Sequence, residues 1–173
     1  MLRAGTPSTL TKEILVKIQK LLPTFARSFA LVGAVFALTA APALAAPRVI
    51  KLTGTDAMKY SLAQINAKPG EELTVQVVGV SSQDKVVMAH NFVLLAQGTD
   101  VNGFVVAASV ARPLHIPKQE KWKKAILAST GLAGGGETVS VTFKAPTAPG
   151  NYTFVCTFPG HYNGGMKGVL TVK

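Results

Sequence analysis

From residue 46 onward, the chain is a succession of short β-branched runs cut by Gly and Pro turns. This pattern constrains the fold more than any other feature. The runs are "RVIKLTG" (48–54), "LTVQVVGV" (73–80), "HNFVLLA" (90–96), "TVSVTF" (138–143), "NYTFVC" (151–156) and "GVLTV" (168–172). Several alternate apolar with polar residues, the mark of a strand with one buried face. The turn signals "KPGEE", "GGGE" and "APTAPGN" lie between them. Short strands with regular turns predict an all-β sandwich or barrel. One segment breaks the pattern, from Gly98 to Leu127. There Thr99 or Asp100 can cap a helix running through Ala107 and Ala108. Pro113 and Pro117 then end regular structure, and a strand is expected near 125–129. This excursion, over about 99–120, is the one partly helical part of the reading. Residues 46–173 suit one domain with a genuine core.

Residues 1–45 read differently. Arg3, Lys12, Lys17, Lys20 and Arg27 stand against one acid, Glu13, and residues 28–47 carry no charge. The apolar stretch closes on Ala43-Leu44-Ala45, the small-residue pattern of a signal-peptidase site. The expected cut follows Ala45, with Ala46 as the alternative. The competing reading is an uncleaved membrane anchor, since a spanning helix needs about 20 apolar residues. Pro42 and the cleavage pattern favour removal. The domain is therefore expected to be periplasmic or otherwise exported, and to meet a membrane only if this segment is retained.

Residues 46–173 hold 13 Lys and Arg against 7 Asp and Glu, a net charge of about +6, whereas the whole chain carries +10. A basic surface raises the possibility of nucleic acid. However, the lysines are scattered apart from Lys118, Lys121, Lys123 and Lys124, and no nucleic-acid motif accompanies them. An acidic protein or an anionic surface fits better. The lysine cluster itself reads as a solvated face.

Cys156 is the only cysteine in the chain, so it forms no internal disulfide. In an exported protein a spare thiol is exposed to oxidation unless it is buried or occupied. Alternation along "NYTFVC" puts Tyr152, Phe154 and Cys156 on one face, with Cys156 at the strand end before the turn "TFPG". That turn returns His161 towards the cysteine, and "YNGG" returns Met166. A fourth ligand must come from elsewhere. His90 opens an apolar strand, whereas His115 lies in the proline-flanked loop "RPLHIPK" and reads as a solvated loop residue. Two His, one Cys and a weak Met match the trigonal blue-copper electron-transfer centre. Zinc more often takes four strong ligands. A Cys156–His161 nucleophile–base pair has no use for a methionine at this spacing. A binuclear copper centre would need a second loop cysteine.

The segment "CTFPGHYNGGMKG" resembles the C-terminal copper loop of the azurin branch of the cupredoxins. "VVMAHNFVLL" is similar to that family's first-histidine segment, and "TGTDAMKYSLAQINAKPGEELTVQV" to its opening strands. The likeness covers nearly all of residues 48–173. The spacing Cys156-x4-His161-x4-Met166 is closer to the auracyanins than to azurin, which has one residue fewer before its methionine. The resemblance implies a cupredoxin Greek-key β-sandwich. It also implies one mononuclear type 1 copper ion held by His90, Cys156, His161 and Met166. In azurins a carbonyl just before the first histidine approaches copper weakly; the residue here is Ala89 in place of Gly. Asn91 is expected to tether the two ligand loops through Thr157, and Phe92 replaces the family's Trp. The family's disulfide cannot form here.

The implied function is single-electron transfer between redox partners by a monomeric carrier, not an enzyme. The alternative is a copper-ion carrier or scavenger, against which stands the enclosed four-ligand set. Partners are expected at a small apolar patch near His161, lined by Met88, Phe158 and Pro159. No nucleic-acid partner is expected. Trp122, set among lysines, reads as partly exposed and is given no role.

Overall fold

The computed structural model describes residues 46–173, so the expected signal segment, 1–45, lies outside the described residues. Eight strands and two short helices follow in order. They are β1 (Arg48–Thr55), β2 (Gln64–Ala67), β3 (Glu72–Val80), β4 (Val93–Leu95), α1 (Val101–Ser109), α2 (Glu120–Lys123), β5 (Ile126–Ser129), β6 (Thr138–Lys144), β7 (Gly150–Val155) and β8 (Lys167–Val172).

The strands form two sheets. One has the order β1-β3-β6, the other β2-β8-β7-β4-β5. The chain crosses from the first sheet to the second and back over its first three strands. Two pairings are therefore parallel, β1 with β3 and β2 with β8, and the rest are antiparallel. Alternation sets the core directly. Ile50 and Leu52 of β1, Leu73, Val75 and Val77 of β3, and Leu170 and Val172 of β8 point inward and are buried. Val139, Val141 and Phe143 of the edge strand β6 close the core only partly buried. Phe92 and Phe154 fill its centre, with ring centroids 5.3 Å apart.

The excursion forms a second, smaller core. Asp100 caps α1 by accepting a hydrogen bond from the Gly103 amide at 3.0 Å. Phe104 and Ala108 of α1 pack with Trp122, Val93, Leu95 and Val155. β7 is therefore buried on both faces at its end. Phe154 faces the sandwich and Val155 faces the helix.

Two expectations change, and one strand is added that the sequence did not announce. The run 90–96 shrinks to Val93–Leu95, because His90 makes only a single antiparallel bridge to Ala133 and then leaves the sheet. Strand β2 has only Ile65 and Ala67 as inward apolar residues, too few to stand out in the sequence. Trp122 is not exposed: it is 9% accessible and stands edge-on to Phe104, centroids 5.7 Å apart at 85°. The one-turn helix α2 turns Lys121 and Lys123 outward and the indole inward, with the Lys121 ammonium 4.2 Å over its ring.

Candidate metal centre

Two segments meet at one end of the sandwich. The first leads into β4 and carries Ala89, His90 and Asn91. The second joins β7 to β8 and carries Cys156, His161 and Met166. The second segment is closed by its own backbone. The Cys156 amide donates to the Met166 carbonyl at 3.0 Å, the Met166 amide to the His161 carbonyl at 2.9 Å, and the His161 amide to Phe158 at 3.1 Å. Gly160 adopts a φ of 83°, a left-handed turn that glycine enters without steric cost. This bend reverses the chain just before His161.

Donor atoms of His90, Cys156 and His161 all lie within 4.8 Å of one another, and all three residues are buried. The Cys156 sulfur is 3.5 Å from His161 Nδ1, and the two imidazole centroids are 5.0 Å apart. Met166 is fully buried and packs in one cluster with Cys156, Ala89, Leu132 and Phe158. His115 does not join them. It was expected to be solvated, but it is buried. Its Nδ1 lies 3.2 and 3.1 Å from the carbonyls of Ala108 and Ser109 at the end of α1. Carbonyls only accept, so Nδ1 carries the proton. The imidazole bonds the Ser109 carbonyl, shares the Ala108 carbonyl with the Ala111 amide, and stands edge-to-face with Phe158.

The donor set fits a soft or borderline metal ion. Both ring nitrogens of His90 are buried with no hydrogen-bond partner among the described residues. Buried polar atoms are rarely left that way. A metal bond to one of them would account for part of that cost. Thiolate, thioether and imidazole together suit copper in both of its oxidation states.

The metal-free electrostatics follow from dryness. Burial pushes the Cys156 thiol up to about 11, while the backbone amides of Asn91 and Phe158 facing the sulfur pull the other way. Burial, with the neighbouring His90, pushes the His161 imidazole down to about 4. His90 is lowered as well, again chiefly by burial. Without metal the site therefore holds a neutral thiol and neutral imidazoles at pH 7.

The surroundings fix the geometry. Asn91 Nδ2 donates to Thr157 Oγ1 at 2.7 Å, and the Thr157 amide returns a bond to Asn91 Oδ1 at 2.8 Å, as expected of the tether. Two further residues shape the site without a motif to mark them. Tyr60 donates its hydroxyl to the Asn91 carbonyl and packs against Phe154. Gly54 sits at an inward position of β1, where a Cβ would lie 2.6 Å from the His90 ring and 2.8 Å from the Met166 methyl. The sequence signal was a glycine at an inward position of an otherwise apolar alternation.

The model of copper-binding proteins of the plastocyanin/azurin family matches residues 48–173. Azurin of Pseudomonas aeruginosa is 36% identical over 139 residues, covering 79% of this chain and 92% of that protein. Auracyanin-B of Chloroflexus aurantiacus is 43% identical over 101 residues, or 57% of this chain; the chain spans less than half of that relative, 42%. Among solved structures, auracyanin A of Chloroflexus aurantiacus, described as a "blue" copper protein, superimposes with a TM-score of 0.63 at 30% identity, covering 73% of this chain and 99% of that one. The two-sheet fold is thus the cupredoxin sandwich, and the chain belongs to the plastocyanin/azurin family of copper-binding proteins, with copper as its cofactor.

Proposed function

We propose that residues 46–173 form an exported, monomeric carrier of single electrons. In this reading one copper ion is held by His90, Cys156, His161 and Met166, and residues 1–45 are a signal peptide. The observation that carries the reading is the convergence of three buried soft or borderline donors with both His90 nitrogens unpartnered. Copper supplies the one-electron couple between Cu(I) and Cu(II).

The chain's own residues do the rest. Cys156 would give up its proton to hold the ion as thiolate, which would couple metal uptake to proton release. The amides of Asn91 and Phe158 direct positive dipole at that sulfur and stabilise its charge. The Asn91–Thr157 pair, Tyr60 and the backbone bond from Cys156 to Met166 hold these side chains in place. Little then has to move when charge changes. Burial excludes water from the thiol. Redox proteins are proposed to dock briefly near His161, over Phe158 and the exposed Pro159, through an interface below about 1,200 Å². The protein acts as a carrier, with no catalytic role and no nucleic-acid partner.

The test is reversible cycling. The copper-loaded protein should accept and return one electron repeatedly and keep its metal against a weak chelator. Copper lost to the chelator within minutes would favour an ion-delivery role instead. N-terminal sequencing of the native protein tests the cut after Ala45.

A further inference from the structure

The helical excursion leaves an apolar band uncovered. Val106 on α1 and Val110, the residue that caps its C-terminus, lie four residues apart and face outward. Val106 and Val110 are 71% and 79% exposed. Scattered exposed valines need no explanation, but these adjoin others. One shallow groove is lined by Ala107, Val110, Arg112 and Lys118. A second is lined by Val86, Leu114, Leu132 and Phe158, with Lys85 and His115 beside them. Arg112 borders both grooves and so joins them into one surface. Val86 and Leu114 are 85% and 53% exposed.

The charged side chains lining the two grooves, Lys85, Arg112 and Lys118, are all basic among the described residues. Among the described residues, no acidic side chain lines either groove. Lys85 is matched by Glu137 at 2.6 Å, but among the described residues Arg112 and Lys118 take part in no ion pair. The surface also reaches the metal centre. Phe158 lines the second groove and sets its ring 4.8 Å from that of His161.

We propose that this band is the docking face for an acidic redox protein. The partner seats an apolar contact on Val110, Leu114 and Val86 and places carboxylates against Arg112 and Lys118. The inference rests on the electron-carrier reading and names the kind of partner that site takes. A protein fits better than a lipid surface. Helices that lie in membranes carry aromatic anchors on a long apolar face. Here α1 has nine residues, its outward side chains are Val and Asn, and Trp122 is turned inward. The net charge of about +6 on residues 46–173 steers the same class of partner over longer range.

Three probes test this. Hexacyanochromate(III), a paramagnetic trianion that stands for clustered carboxylates, is added to the copper-loaded protein in its reduced, diamagnetic Cu(I) state. Nuclear magnetic resonance line broadening should concentrate at Val110, Arg112, Leu114 and Phe158. Next, the reduced copper-loaded protein is mixed with hexacyanoferrate(III), which takes one electron to become hexacyanoferrate(II). Arg112→Glu with Lys118→Glu should slow that reaction about tenfold at low ionic strength. The same substitutions should not slow reaction with the cationic tris(phenanthroline)cobalt(III). Lys68→Glu with Lys173→Glu makes an equal charge change near the far end of β8 from Met166 and should have a much smaller effect. Arg112→Gln should give a milder form of the same change and covers any folding defect of the double variant.

Equal slowing by both charge-reversed pairs, or broadening spread evenly over the surface, would overturn the docking face and leave the carrier reading standing. Loss of binding to phosphatidylglycerol vesicles on Arg112→Glu/Lys118→Glu, with the hexacyanoferrate rate unchanged, would overturn it in favour of a membrane contact. No electron exchange with either reagent would overturn both readings.

Discussion

Asn91 and Thr157 form a reciprocal pair: the Asn91 side-chain Nδ2 donates to the Thr157 hydroxyl at 2.7 Å, and the Thr157 backbone amide donates to the Asn91 side-chain Oδ1 at 2.8 Å. Both residues are fully buried, and each follows directly after a proposed ligand, His90 or Cys156. The pair thus clamps two segments that lie 66 residues apart.

Removing the clamp should cost stability and order together. Asn91→Ala leaves the buried Thr157 amide and hydroxyl without partners, and each unsatisfied group costs about 1–3 kcal/mol. We predict a loss of about 2–4 kcal/mol in urea unfolding of the metal-free protein, together with faster loss of copper to a chelator. Thr157→Ser keeps both bonds and should change either measurement little.

Gly54 is predicted to be intolerant for a steric reason. A methyl there would press on the His90 ring at 2.6 Å and the Met166 methyl at 2.8 Å, inside normal contact. Overpacking of this kind typically costs about 1–3 kcal/mol. Gly54→Ala should lower the thermal midpoint of the metal-free protein and shift the visible spectrum of the copper form. Gly131→Ala, where a Cβ meets nothing within 4 Å, serves as the control and should do neither.

The buried imidazoles set an acid dependence. His161 is pushed down to about 4 and His90 is lowered too, both mainly by burial. An unfolded histidine titrates near about 6.5. Between these values the unfolded chain binds more protons than the folded one. Stability is therefore complete above about 6.5 and falls as pH drops towards 4. The denaturant midpoint of the metal-free protein should follow that window. His161→Gln should flatten most of it.

Proton release on metal uptake follows from the same groups. At pH 7 the imidazoles are already neutral, while the Cys156 thiol, raised to about 11, still holds its proton. Calorimetry in buffers of different ionisation enthalpy should give about one proton released per copper bound. Release near zero would mean that the thiol is not the ligand.

Much of the architecture could be read from the chain because alternation is a direct record of a two-sided strand. Leu73, Val75 and Val77, or Tyr152 and Phe154, are inward residues in sequence and in structure alike. A cap at Thr99 or Asp100 was readable for the same local reason, and Asp100 supplies it. The convergence of His90 on the Cys156–Met166 loop was not local: only the family resemblance and the strand-end argument suggested it. Residues whose role depends on distant neighbours were missed or misplaced. Gly54 matters because of what lies across the sandwich, and Trp122 is buried because α1 supplies Phe104. His115 is buried because the loop returns it to the carbonyls at the end of α1.

The central claim is that Cys156 supplies the thiolate of a copper site completed by His90, His161 and Met166. The most direct measurement is a titration of the metal-free protein with Cu(II), followed in visible absorption. The intense blue thiolate-to-copper band should rise to an end point at one copper per chain. Cys156→Ser should abolish it, while Met166→Leu should keep the colour and shift the reduction potential. A colourless wild-type adduct, or a Cys156→Ser protein that still turns blue, would contradict the account.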